Sequence, residues 1–216
     1  MTSYPRNRRA RAIYRAPWLN NPEDKIEVRQ FLVDESRKMS LPVSRILTLP
    51  GQTAYCIEAF RAAFPQAAIL GLERDVIIFD ALKVWWDRCH RRRTTISHTS
   101  LEQWMERHTG LVDLAFLDFT SYPQESLLHT TGQFLDRHLS RPGLCGITYS
   151  IHPRVTQRVR IPTAEFYARR TGVAAPTPEG VAAVLPEFTE RPITVIKAVK
   201  TARDMIFIAV ASPVEM

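Results

Sequence analysis

The stretch Ser44-Arg45-Ile46-Leu47-Thr48-Leu49-Pro50-Gly51-Gln52-Thr53-Ala54-Tyr55-Cys56-Ile57-Glu58-Ala59-Phe60 changes its hydrophobic period partway along, and that change decides the fold. Ser44 to Leu49 is a short apolar run of the kind that forms a buried strand, closed by a Pro-Gly turn. From Thr53 to Phe64, Tyr55, Ile57, Phe60 and Phe64 follow at near-helical spacing, and Ala67 to Leu72 returns as an apolar strand ending at Glu73. The spacing predicts a β-α-β unit.

The same rhythm continues downstream. Asp75 to Trp86 reads as a helix with Ile78, Leu82, Trp85 and Trp86 on its apolar side, and Thr94 to His98 as a short strand. Ser100-Leu101-Glu102-Gln103 then opens a helix with an N-cap and an acid behind it. Leu111 to Asp118 is the strongest central strand, apolar except for Asp113 near its start and Asp118 at its carboxyl end. Gln124 to Leu139 supplies another helix and Gly143 to Ile151 another strand, so five strand-helix repeats predict a doubly wound, mostly parallel α/β sheet. Upstream, Pro22 to Lys38 reads as a helix beside the sheet, with acids in its first turn and Ile26, Phe31, Leu32 and Val33 among charges. Ile193 to Val199 and Met205 to Val210 are joined too closely for anything but a C-terminal antiparallel hairpin. Residues 152–192, with six prolines, read as an irregular insertion containing a short helix around Glu165 to Arg170.

At 216 residues and 45% hydrophobic content, the chain suits one domain over residues 22–216, preceded by a basic arm at residues 1–21. Lys and Arg outnumber Asp and Glu by 29 to 22, a formal charge of +7 that favours phosphate-bearing partners. Arg6, Arg8, Arg9, Arg11 and Arg15 cluster in the arm without a carboxylate. That arm reads as a solvated terminus or as a contact with nucleic acid, and Tyr4, Pro5, Pro17 and Trp18 argue against the amphipathic helix of a transit peptide. Cys56, Cys89 and Cys145 have no pairing or zinc-ligand spacing, and the histidines are scattered, so no metal site is expected and a reducing, cytoplasmic location is. No apolar run reaches the roughly 18 to 20 residues that span a bilayer, so no membrane association is expected. Hydrolase elbows, P-loops, zinc-protease motifs and the Gly-x-Gly-x-x-Gly of nicotinamide enzymes are all missing.

Five repeats closed by a hairpin resemble the class I S-adenosylmethionine-dependent methyltransferases, whose Rossmann-like sheet ends in an antiparallel strand. The resemblance covers about Ser44 to Val210 and is carried by SRILTLPGQTAYCIEAF, FPQAAILGLERD and LVDLAFLDFTSYP. It implies S-adenosylmethionine as cofactor, with Gly51, Gln52 and Thr53 in the loop holding its methionine part and Glu73 accepting the ribose hydroxyls. Ser97 and His98, ending the third strand, would border the adenine. Asp118 would be the catalytic residue, orienting cofactor or substrate; otherwise it caps the loop of Thr120, Ser121 and Tyr122. Glu73 could instead be a solvated carboxylate paired with Arg74. The family's first loop reads acid-x-Gly-x-Gly-x-Gly, whereas here Thr48 replaces the acid and Gly51 is the single glycine. Either the cofactor sits on a Gly51 turn with Glu58 replacing that acid, or the loop does not hold it.

His90-Arg91-Arg92-Arg93 and Arg154, Arg158 and Arg160 form two further basic clusters able to track a phosphate backbone, with Trp85, Trp86 and Tyr149 as stacking faces or as core. Two functions follow: methyl transfer to nucleic acid, or an inactive methyltransferase-like module that holds nucleic acid, a protein partner or a second copy of itself.

Overall fold

A computed structural model describes residues 23–51, 54–89, 92–151, 156–201 and 204–213. Among them the elements run α1 (Glu23–Lys38), β1 (Arg45–Thr48), α2 (Tyr55–Ala63), β2 (Ala68–Glu73), α3 (Val76–Cys89), β3 (Thr94–His98), α4 (Leu101–Arg107), β4 (Val112–Asp118), α5 (Glu125–His138) and β5 (Leu139–Ser150). They continue through α6 (Gln157–Thr171), α7 (Pro178–Val184), a 3-10 turn (Leu185–Phe188), β6 (Thr194–Thr201) and β7 (Met205–Ser212). The sheet has the order β3-β2-β1-β4-β5-β7-β6. The strands β3, β2, β1, β4 and β5 are parallel, and β7 lies antiparallel between β5 and β6.

Alternate residues of the central strands enter two cores, as a sheet covered on both faces requires. Ile46, Leu114, Phe116, Phe207 and Ala209 face α1, α2 and α3, where they meet Leu32, Ile57, Phe60 and Leu82. Leu47, Ala115, Leu117, Ile208 and Val210 face α4 to α7, where they meet Leu101, Phe134, Phe166 and Val181.

Residues 156–192 hold two helices and a 3-10 turn, and the short helix expected around Glu165 to Arg170 is the second half of α6. Thr163, Phe166 and Tyr167 bury one face of α6, Val181 and Val184 one face of α7, and the Asp136 carboxylate of α5 accepts the N–H groups of Glu190 (2.8 Å) and Arg191 (3.2 Å). Prolines disguised the helices: Pro162 lies inside α6, and Pro178 starts α7 behind the Thr177 cap. Residues 152–155, including Arg154, and the basic arm lie outside the described residues.

The amino ends of three central strands meet at Asp113. Its Oδ2 accepts the Ser44 and Arg45 N–H groups and the Ser44 hydroxyl at 2.8 to 2.9 Å, and its Oδ1 accepts the Ser140 hydroxyl at 2.8 Å. At the opposite face of β5, α1 approaches so closely that a Cβ at Gly146 would stand 2.5 Å from Leu32 Cδ1. Only glycine lets α1 sit there without displacing that fully buried leucine.

Burial would raise the Asp113 carboxyl, but the hydrogen bonds from Ser44, Ser140 and Arg45 outweigh it and hold it below its ordinary value. Asp113→Ala leaves two strand N–H groups without their acceptor and is expected to cost about 2 to 4 kcal/mol in urea unfolding at pH 7. A folded pKa below the unfolded one means that this contribution is complete above about pH 4 and lost as pH falls through the folded value. The gap between wild type and variant therefore closes in acid; a gap independent of pH would count against the assignment.

Candidate ligand cavity

The parallel strands all end on one side, and there a cavity of about 570 Å³ opens over the carboxyl ends of β1, β2 and β4. Parallel sheets place ligands at this edge because adjacent loops diverge where the helices return to opposite faces. Leu49, Pro50 and Gly51 wall it after β1; Leu72, Glu73, Arg74 and Asp75 at the end of β2; Thr99 to Glu102 after β3; and Asp118 to Ser121 after β4. Lys25 and Arg29 of α1 and Cys56 of α2 complete that end.

Glu73 is 8% exposed, a buried carboxylate and not a solvated one. Its Oε1 accepts the Asp75 N–H at 2.8 Å, and burial pushes its pKa upward despite that bond. The residue is thus held at the wall by its own turn.

Gly51 has φ +57°, and an added Cβ would meet nothing within 4 Å, so the turn requires glycine for its backbone conformation and not for close packing. Ala54, at the start of α2, is also left-handed at φ 52° and caps the helix without a side-chain hydrogen bond. Gln52 and Thr53 lie outside the described residues. Glu58 is not among the residues that line the cavity.

Ser97 and His98 are not at the cavity wall either. The His98 ring stacks on Phe79 of α3 with centroids 5.1 Å apart, and its Nε2 lies 3.1 Å from the Arg74 carbonyl. Those contacts hold it on the outer side of the strand end. The wall past β3 is formed instead by Thr99 and by Ser100, whose capping box with Gln103 fixes the start of α4.

Asp118 lines the cavity, but neither of its oxygens caps the following loop. Oδ2 accepts from Lys25 Nζ in an ion pair, and Oδ1 accepts from the Thr148 hydroxyl of β5. The sequence did not single out Lys25 and Arg29, because their helix was marked by its first-turn acids and by Ile26, Phe31, Leu32 and Val33. Arg29 is 5% exposed and falls one turn from Lys25, between Val28 and Leu32; a charged pair at i and i+4 within the buried stripe was the available signal.

The described members of the second basic cluster lie at the other edge of the sheet. Arg92 and Arg93 precede β3, and Arg93 donates to the Gln66 carbonyl at 2.7 Å, bracing the turn between α2 and β2. His90 and Arg91 lie outside the described residues. Tyr149 is fully buried with its hydroxyl 3.1 Å from Thr131 Oγ1, which makes it core and not a stacking face. Arg158 and Arg160 are exposed on the first turns of α6, and Arg160 acts electrostatically on Tyr122 in the loop after β4, just beyond the cavity wall.

The strand order with an inserted antiparallel β7 is the fold of the class I S-adenosylmethionine-dependent methyltransferases. The N-methyltransferase NodS of Bradyrhizobium japonicum, solved with S-adenosyl-L-homocysteine, is similar over 96% of this chain and 100% of its own, with a TM-score of 0.58 and 17% identity. Precorrin-6y C5,15-methyltransferase of Geobacter metallireducens is similar over 92% of each chain at TM-score 0.52 and 15% identity. A candidate rRNA methylase from Clostridium thermocellum covers 85% of this chain and 94% of its own at TM-score 0.60 and 8% identity. At these identities the likeness is one of fold. No protein-family model matches the sequence, and no curated protein matches it.

No helix among the described residues is long and apolar enough to cross a membrane.

Because the folded-state pKa of Glu73 is raised, its ionised form costs stability above that value and nothing below the unfolded value near pH 4. Glu73→Gln should therefore raise the melting temperature at pH 7, with the difference vanishing as pH falls to about 4. A variant less stable than wild type at pH 7 would contradict this placement of the carboxylate.

Proposed function

We propose that the chain is an S-adenosylmethionine-dependent methyltransferase acting on nucleic acid. The observation that carries the cofactor reading is the buried Glu73 carboxylate at the end of β2, on the wall of a cavity whose size is ordinary for small-molecule sites. Glu73 is placed to accept ribose hydroxyls; Leu72, Ile78 and Leu101 offer apolar surface for a purine, and the Gly51 turn faces the remainder. When bound, S-adenosylmethionine supplies an activated methyl group for direct displacement by a nucleophile. The chain's part is alignment, so no strong acid or base is required. Asp118, hydrogen-bonded through both oxygens, is suited to orienting groups at the reacting end more than to taking a proton.

The nucleic-acid part of the proposal rests on the formal charge of +7, on Arg160 near Tyr122 of the loop after β4, and on Arg158 exposed on the same helix. Arg92 and Arg93 precede their strand while the cavity follows it, and β3 lies three strands from β4, so a nucleic acid held by them would be more than roughly 15 to 20 Å from the reacting end, the length of a five- or six-residue strand alone. They belong to a reading in which contact and chemistry are separate. The absence of an acid at Thr48 and the ion pair on Asp118 favour a second reading, a module with this fold that binds nucleic acid or a protein without methyl transfer.

Isothermal titration of the full chain with S-adenosylhomocysteine separates the two. Binding in the micromolar range, weakened by about 1 to 3 kcal/mol in Glu73→Ala, supports the first reading. No heat from folded protein at millimolar ligand leaves the second. RNA binding whose logarithm falls steeply with the logarithm of salt, with a smaller slope in Arg158→Ala/Arg160→Ala, is expected if these side chains meet phosphates; an unchanged slope removes them from the interface.

A further inference from the structure

We propose that α3 is a two-fold interface, pairing antiparallel with α3 of a second copy of this chain along Val76, Phe79, Lys83 and Trp86. The pairing stands apart from the cofactor reading and adds an assembly to it.

The 14-residue helix carries more apolar side chains than the sheet beneath it covers. Ala81 and Leu82 are buried, and Ile78 and Trp85 pack against the core on that face. Val76, Ile77, Phe79, Val84 and Trp86 belong to neither core; Val76 is 53% exposed and the others are half-buried. Val76, Phe79, Lys83 and Trp86 follow one another at spacings of three, four and three, the rhythm of a seam between two helices. That seam lies at the margin of the sheet. Phe79 stacks on His98 of β3, and β3 ends the strand order with no further strand beside it among the described residues.

The charges beside the seam point to a second copy. Asp80, Lys83 and Asp87 are exposed, and none of them makes an ion pair among the described residues. In an antiparallel pair about a two-fold axis, Val76 comes opposite the partner's Trp86 and Lys83 opposite the partner's Phe79. Each ammonium then meets an aromatic face with Asp80 next to it, so a cation-π contact and an ion pair form together, and the axis makes both twice. A phosphate backbone suits this face less well, because two carboxylates flank the seam for one ammonium.

The antiparallel sense also bears on the cavity. Arg74, Asp75 and Ile78 at the start of α3 line it, whereas Arg92 follows the other end of the helix. Within one chain a helix of about 21 Å separates them. In the pair, the partner's Arg92 arrives at the end where this copy's cavity opens, so a basic residue remote from its own cavity serves its neighbour's.

Sedimentation equilibrium of the full chain tests the pairing. A monomer-dimer equilibrium in the micromolar range is expected, since one helix-wide contact falls short of the roughly 800 Å² per partner of a standard interface. Lys83→Glu and Asp80→Lys, both at exposed positions, should each weaken the dimer at least about tenfold by setting like charges together. Asp80→Lys/Lys83→Glu should recover most of that loss, because the exchanged charges meet again across the axis. A wild type that stays monomeric to about 500 µM overturns the inference. So does a dimer indifferent to the single changes, or one that the double change fails to restore. A monomer whose oligonucleotide binding is weakened by Trp86→Ala gives the face to nucleic acid and overturns it as well. None of these outcomes depends on whether S-adenosylhomocysteine binds.

Discussion

One buried carboxylate fixes where the central strands begin. Asp113 accepts hydrogen bonds from the start of β1 and the start of β5 while belonging to β4, so three parallel strands are pinned at a common level. Parallel strands carry side chains with a period of two, and a slip of one residue would exchange the faces of Leu114 and Ala115 between the two cores. Everything at the far edge follows from this. Leu49, Glu73 and Asp118 come to one rim because their strands start together and run in register.

The second constraint is steric and comes from α1. A helix that precedes the sheet in sequence need not contribute to a site at the strand ends, but Leu32 settles on Gly146 and the preceding turns then extend to the cavity. The ion pair from Lys25 to Asp118 is partly sheltered and tethers that helix to the end of β4. Removing one partner would leave the other charge poorly compensated, a larger effect than an exposed pair could produce. Glu73 represents the opposite balance: a carboxylate kept at the wall against the preference of its surroundings, as ligand sites often require.

The alternating period was enough to read β1 to β5, the intervening helices and the terminal hairpin, with ends differing by only a few residues, because each element has its own local pattern. What the pattern could not carry was long range. Asp113 stood out in the sequence only as a polar residue in an apolar strand; its partners are about 70 residues upstream and 27 downstream. In residues 156–192 the sequence marked only the short helix around Glu165 to Arg170, which is the second half of α6; the first half, with Pro162 inside it, and α7 lacked a clear local pattern. Glu73 and Asp118, read from their place at strand ends, line the cavity, whereas Ser97 and His98, read by the same rule, do not. β3 ends level with β2, Glu73 pairing with His98, and the His98 ring is engaged with Phe79 of α3. Lys25 and Arg29 depended on the tertiary path of α1, for which the sequence holds only a faint helical stripe.

The position of β7 has a kinetic meaning. Ile206, Phe207, Ile208, Ala209 and Val210 are fully buried, yet they belong to the final strand and occupy the gap between β5 and β6. Until that segment has left the ribosome, β5 presents an unpaired edge and both cores lack their side chains from β7. Until β7 pairs, the chain carries exposed apolar surface, a state prone to association with other chains. Completion of the sheet awaits the non-local pairing of β7 with β5, whose partners lie about 60 residues apart.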